Sequence, residues 1–159
     1  GGLQQAFEMV GYSGSTGPIS AKTRNRLRNI RIALMHEIVA ASGNRISIDP
    51  RGAQWPTRLR MPSSRLVSVL MSYCFEPWKD ALRWRATPRS ADARLFTLLV
   101  RMDVENKAIR DLFLVRRIEQ RRLSFKDVDS RLNCGVRLSS PSQLYTAVQR
   151  LSGKPLREP

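Results

Sequence analysis

The first strongly periodic segment of the chain runs from Ser20 to about Ala41. Apolar residues recur there at steps of three and four positions, as they do on one face of a helix. Gly43 follows, and glycine commonly ends helices because it adopts the left-handed conformation without strain. The pattern predicts a long helix with one buried face, which includes Leu27, Ile30, Leu34 and Ile38.

Two short segments after this helix alternate between polar and apolar residues. Residues 45–49 and 57–61 each end at a proline, which is typical of short strands. The residues between them, 50–56, suit a hairpin connection. We therefore expect a small β-hairpin near residues 45–61, with Arg58 and Arg60 on one face and Leu59 and Met61 on the other.

Most of the remaining chain consists of apolar stretches, which we interpret as helices. Residues 66–75 leave little polar face, which is typical of a core helix, and residues 90–102 and 104–122 predict two more. Ser124 is the predicted N-cap of a short helix, and residues 142–151 form the last one. We therefore expect a mainly α protein, a multi-helix bundle with one small hairpin.

Two of these segments resemble parts of DNA-binding proteins. Residues 57–66 resemble the strand, proline and helix start of ribbon–helix–helix proteins, which lay a two-stranded ribbon in the major groove. Residues 105–153 resemble the tri-helical core of helix-turn-helix proteins, which implies that 142–150 is a recognition helix. The side chains implied to read bases are Ser142, Gln143, Thr146, Gln149 and Arg150. An ordinary hairpin with arginines on its wet face and a plain helical bundle remain open as alternatives.

Changes in composition divide the chain into four parts. Residues 1–18 end in a glycine- and serine-rich stretch that predicts a flexible segment. A break at Thr87–Ser90 separates residues 19–88 from a helical subdomain at 89–153. Residues 154–159 then form a tail.

The charge balance indicates the class of partner. The chain has 28 Lys and Arg against 13 Asp and Glu, a formal charge of +15. A field of this strength attracts polyanions, and most of the cations are arginines, whose planar fork matches phosphate and the guanine edge. An Arg-rich proteome explains the preference for Arg over Lys but not the net charge. We therefore predict a nucleic-acid partner, DNA favoured over RNA.

The residues predicted to contact phosphate come from two segments. Basic residues fill the first half of the 20–41 helix, where positive charge is unfavourable because the N-terminal end of the helix dipole is itself positive. Their presence there suggests that an external anion compensates them. A second basic group ends the 104–122 segment. Together they are Arg24, Arg28, Arg31, Arg116, Arg117, Arg121 and Arg122. Weaker candidates are the hairpin arginines Arg58 and Arg60, and Trp78 and Trp84, which lie among basic residues and could stack on bases or pack in the core.

Catalytic chemistry is not indicated. His36 is the only histidine, and the acid pairs 103/105 and 127/129 lie at predicted helix starts, where capping accounts for them. We predict no catalytic residue, metal or cofactor.

No apolar run approaches the length of a membrane span, and the two cysteines lack metal-ligand spacing, so we expect an intracellular, reducing compartment.

These observations favour a DNA-binding protein, such as a transcriptional regulator or a mobile-element accessory factor. An RNA-binding or nucleocapsid-type protein is one alternative, since arginines with interleaved aromatics also suit single strands. A helical adaptor for an acidic protein partner is another. Homo-oligomerisation stays open.

Overall fold

The computed structural model describes residues 19–51, 54–76, 82–92, 95–116, 118, 122–126 and 135–153. In these residues the chain forms two α-helices, α1 (Ala21–Ala41) and α2 (Leu144–Ser152), eight strands and two short 3₁₀ turns. The strands are β1 (Ser47–Asp49), β2 (Arg58–Arg60), β3 (Leu66–Glu76), β4 (Arg83–Ala86), β5 (Phe96–Met102), β6 (Ile109–Val115), β7 (Leu123–Lys126) and β8 (Val136–Leu138).

Six of the strands form a mixed sheet in the order β1-β2-β3-β5-β6-β8. Neighbouring strands are antiparallel except β3 and β5, which are parallel over Val67–Ser72 of β3. The last residues of β3, from Tyr73, pair with β4, and β4 pairs with β7. The strand β3 therefore belongs both to the main sheet and to a second, smaller ribbon.

The middle of the main sheet is buried on both faces. On one face, Leu98 and Val100 of β5 share a core with the apolar sides of α1 and α2. On the other face, Leu99 belongs to a second core with Trp84 of β4 and Phe125 of β7. Successive residues of β5 thus point into two different apolar cores, as the twofold repeat of a strand requires.

The predicted multi-helix bundle is wrong. Residues 66–76, 96–102, 109–115 and 123–126 are strands, not helices. A strand that is buried on both faces is apolar at every position, so its sequence resembles that of a buried helix. The valine, isoleucine and aromatic residues that these segments do contain favour the strand.

The two resemblances to DNA-binding folds fail for the same reason. The segment after Pro62 is strand β3, so the helix of a ribbon–helix–helix unit is missing. The described residues between 105 and 140 that precede α2 form β6, β7 and β8, not the helices of a helix-turn-helix unit. Residues 127–134, where the short helix is predicted, lie outside the described residues.

Three elements that were predicted from local pattern are confirmed. Helix α1 begins after Ser20, whose hydroxyl accepts the Thr23 amide at 3.1 Å, and it is followed by Gly43 with φ +64°. The hairpin near 45–61 is present, with Ile48 opposite Leu59. The last predicted helix is present as α2, which buries Leu144, Ala147 and Val148. The described helices are all too short or too polar to cross a membrane.

The predicted boundary near Thr87–Ser90 lies in the connection between β4 and β5. Strands β3 and β5 pair across this boundary within one sheet. The predicted flexible segment 1–18 and the tail 154–159 lie outside the described residues.

Candidate nucleic-acid interface

Helix α1 presents three of the predicted phosphate-binding arginines along one side. Arg24, Arg28 and Arg31 are spaced by four and three residues, so they follow one another on the helix surface. The neighbouring Leu27 and Leu34 are buried against the sheet and fix the rotation of the helix. The packing of α1 therefore determines which way the arginines point.

These arginines line a cavity of about 460 Å³ between α1, the residues before β2, the middle of β3, and residues 87–92. Val69 and Leu70 of β3 also line it. We call it the arginine cavity, and its basic lining residues are Arg24, Arg28, Arg31 and Arg89.

Trp55 forms the aromatic wall of the arginine cavity. The Arg28 guanidinium carbon lies 4.4 Å from the centre of the indole ring, which is a cation–π contact. The residue is nevertheless 43% exposed. The indole therefore contacts Arg28 across one ring face, and only its remaining exposed surface can receive a flat ligand.

Arg31 is the most constrained of the cavity arginines. Its Nε donates to the backbone oxygen of Pro56 at 3.1 Å, which holds the plane of the guanidinium. Burial lowers the pKa of Arg31, and the positive charges of Arg28 and Arg89 lower it further. The surroundings therefore disfavour the positive charge that Arg31 carries, and a bound anion would relieve this cost.

Asp92 is the one carboxylate among the described lining residues, and it is already engaged. Arg58 Nε donates to Asp92 Oδ1 at 2.7 Å, and the Ser68 hydroxyl donates to Oδ2 at 3.0 Å. These bonds anchor the 3₁₀ turn Ser90–Asp92, whose Asp92 amide bonds the Arg89 carbonyl at 2.9 Å. Arg58, predicted as a weaker candidate, thus positions the turn beside Arg89.

Within the described residues, Arg24, Arg28 and Arg31 form no ion pair. The hairpin arginine Arg60 differs, because it donates to Asp49 Oδ1 at 3.3 Å, where Arg51 also donates at 3.0 Å. Among the described residues, the hairpin arginine Arg60 is therefore paired with a carboxylate, whereas the three arginines of α1 are not.

Trp84, the other described tryptophan candidate, lies in the second core. Its side chain is fully buried, stacks on Phe125 with ring centres 6.2 Å apart, and donates from Nε1 to the Met102 carbonyl at 2.8 Å. It has no open face for a base. Trp78 lies outside the described residues.

The described members of the predicted basic group of the 104–122 segment, Arg116 and Arg122, do not line the cavity. Arg116 follows β6 and donates from Nη2 to the Leu151 carbonyl near the end of α2, at 3.5 Å. Arg122 is exposed just before β7. Arg117 and Arg121 lie outside the described residues.

The residues implied to read bases are exposed, but their setting is not that of a recognition helix. Helix α2 packs on the sheet, and Gln143 accepts the Ser139 amide at 2.8 Å while Gln149 donates to the Tyr145 hydroxyl at 2.9 Å. All five are solvent-exposed: Ser142, Gln143, Thr146, Gln149 and Arg150.

The sequence did not single out Trp55 or Arg89 as site residues. Trp55 stands in a connection between two strands, and Arg89 in a break between elements. Trp55 lies in a predicted connection, and connections run over the protein surface, so a surface position for this tryptophan follows from the sequence. That it lies next to Arg28 depends on the packing of α1, which no local pattern reports.

The described residues hold no group of three or more His, Cys, Asp or Glu side chains that could bind a metal ion. No protein-family model matches the sequence, and no curated protein or solved structure matches it significantly.

Proposed function

We propose that the protein binds nucleic acid through the phosphate backbone, at the arginine cavity. The observation that carries this proposal is the convergence of Arg24, Arg28 and Arg31 beside Arg89, with Asp92, the one carboxylate in the described lining, held by Arg58. Guanidinium groups form short, charge-assisted hydrogen bonds to phosphate. The net charge of +15 would also draw a polyanion to this surface.

Contacts of this kind hold the backbone and carry no base information. With the helix-turn-helix arrangement excluded, the reason for preferring duplex DNA falls away, and the proposal covers DNA and RNA alike. An intracellular, reducing compartment belongs to the same proposal, because nucleic acids are found there.

The test is a binding titration of duplex DNA, single-stranded DNA and single-stranded RNA by fluorescence anisotropy at several salt concentrations. The salt slope is the slope of the logarithm of the binding constant against the logarithm of the salt concentration. On duplex DNA, the combined variant Arg24→Gln, Arg28→Gln and Arg31→Gln should make this slope shallower by about 2.7, because each neutralised phosphate contributes about 0.9. Affinity should fall on all three ligands.

A matched control removes three positive charges from exposed positions away from the cavity, with Arg122→Gln, Lys126→Gln and Arg150→Gln. Its salt slope should change by less than about 1. Equal losses in the two variants would show a diffuse charge effect rather than a site. Failure of the wild-type protein to bind all three ligands at low salt would exclude the proposal and favour an acidic protein partner.

A further inference from the structure

Resting on the proposed function, we further propose that the arginine cavity takes one unpaired nucleotide, whose base stacks on Trp55 and whose phosphate is held by Arg31 and Arg89. The ligand is then a strand end, an overhang or a single-stranded segment, of DNA or RNA. A paired duplex would reach the cavity arginines only from the mouth of the cavity, through its backbone phosphates.

The first argument is size and shape. A volume of about 460 Å³ lies within the range of about 300–1,000 Å³ that is typical of sites for small ligands. The walls are α1 on one side and residues 55–57 and 87–92 on the others. A single splayed nucleotide fits such a concavity, whereas a double helix can only lie across its mouth.

The second argument is the pairing of an exposed aromatic with fixed cations. Unpaired bases are recognised by stacking on aromatic side chains, next to basic groups that track the backbone. Trp55 supplies a large exposed surface, with Arg28 at 4.4 Å from its ring centre. Trp55 and Val104 are the exposed large apolar residues of the described chain, and Trp55 is the one that lines the cavity.

The third argument is the preorganisation of the phosphate site. Pro56 holds Arg31 through Nε, and the two terminal nitrogens of Arg31 have no hydrogen-bond partner among the described residues. Arg89 Nη1 lies 3.4 Å from the Thr57 hydroxyl, which places it on the same side of the cavity as the Pro56 carbonyl. A phosphate here would meet the terminal nitrogens of Arg31, which the bond to Pro56 holds in place, with the positive charge of Arg89 beside them.

Part of the lining of the cavity is apolar. Val69, Leu70 and Met71 of β3 line the cavity together with Tyr73. Contacts with such residues suit any of the four bases, so the site would tolerate different sequences.

The experiment compares a blunt duplex with the same duplex carrying a short single-stranded overhang, in separate arms with a DNA and an RNA overhang. The wild-type protein should prefer the overhang by at least about 5-fold, and Trp55→Leu should lose about 5- to 150-fold in affinity for it. On the blunt duplex, the same variant should change affinity by less than about 2-fold. A preference in one arm only would support the proposal and would identify the sugar that the site accepts.

The matched control is Tyr145→Leu. Tyr145 also carries an arginine over its ring, Arg45 at 4.5 Å, but lies in α2 and outside the lining of the arginine cavity. This variant should retain the overhang preference. A second readout is tryptophan fluorescence on adding a nucleoside monophosphate, which should be quenched in the wild type and unchanged in Trp55→Phe.

Equal affinity for blunt and overhang ligands, or an unchanged overhang preference in Trp55→Leu, would overturn the nucleotide proposal. Binding that depends on Arg24, Arg28 and Arg31 would survive either result, so the proposed function would stand. Loss of that dependence would overturn the proposed function itself, whatever Trp55 does.

Discussion

Arg101 and Arg28 of α1 each contact a tryptophan ring, but only Arg101 is bonded to a carboxylate among the described residues. Arg101, in the second core, is 5% exposed; its Nε donates to Asp111 Oδ2 at 2.8 Å, and its guanidinium lies 5.0 Å from the Trp84 ring centre. Asp111 also accepts from Arg137 at 2.6 Å. At the arginine cavity, Arg28 has the ring of Trp55 but no carboxylate among the described residues.

This difference separates two uses of the same side chain. A buried arginine that is bonded to a buried carboxylate holds the fold together, since removing either partner leaves an uncompensated charge. Partly buried arginines that face one another cost stability, and a bound anion would offset that cost. Counting positive charges along a sequence does not distinguish the two, because the distinction lies in the partner.

The largest effect is expected from breaking the buried pair. Asp111→Asn leaves the Arg101 charge buried without its carboxylate, and should lower the free energy of unfolding by about 3–5 kcal/mol. Denaturant unfolding measures this loss of free energy. The control Glu105→Gln removes an equal charge from an exposed ion pair with Lys107, at 3.0 Å, and should cost at most about 1 kcal/mol. Equal losses in the two variants would remove the distinction between the buried and the exposed pair.

The cavity arginines should behave in the opposite way. Replacing Arg24, Arg28 and Arg31 together by glutamine relieves the repulsion among the cavity arginines. It also removes the bond from Arg31 to Pro56, about 1 kcal/mol, and the weaker contacts of Arg24 with Ile19 and of Arg28 with Trp55. Because the two effects oppose each other, the free energy of unfolding without nucleic acid should change by no more than about 1 kcal/mol, while affinity for nucleic acid falls. A loss comparable to that of Asp111→Asn would show that these arginines are structural.

Elements that depend on local pattern could be predicted from the sequence. The apolar spacing of α1, its Ser20 cap and Gly43 gave the correct helix, and the alternation at 45–61 gave the correct hairpin. Strands β3, β5 and β6 could not be recognised, because a sheet that is covered on both faces hides the twofold repeat. Their burial depends on pairing between residues far apart in the chain.

The residues of the candidate site also fall into two groups, those that local spacing predicts and those that only tertiary contacts bring together. That Arg24, Arg28 and Arg31 share a side of α1 follows from helical spacing alone. That Trp55 and Arg89 join them, and that Arg58 and Arg60 are engaged by Asp92 and Asp49, follows from tertiary contacts.

Acid should weaken the ion pairs that Asp49 forms with Arg51 and Arg60. Burial raises the pKa of Asp49, but hydrogen bonds from Arg51 and Arg60 outweigh it and bring the pKa below its ordinary 3.8. A carboxylate with a lowered pKa stabilises the folded state above its ordinary value, and this contribution disappears as the pH falls through the folded-state pKa.

The variant Asp49→Asn lacks that titration. It should be less stable than the wild type at pH about 6, by less than Asp111→Asn is, and should lose less stability between about pH 5 and pH 2. Urea unfolding across this range measures the difference. Parallel curves for wild type and variant would show that Asp49 contributes nothing to acid sensitivity.

The smallest effect is expected on the exposed side of α2, where the resemblance to a recognition helix placed the base contacts. Thr146 and Gln149 are solvent-exposed, and the helix is held by Leu144, Ala147 and Val148 on its other side. Thr146→Ala with Gln149→Ala should therefore change the free energy of unfolding by no more than about 0.5 kcal/mol. Neither substitution touches the lining of the arginine cavity, so affinity for overhang and duplex ligands should also stay the same. Anisotropy titrations on several duplex sequences provide the check, since a loss confined to one sequence would mean that α2 reads bases after all.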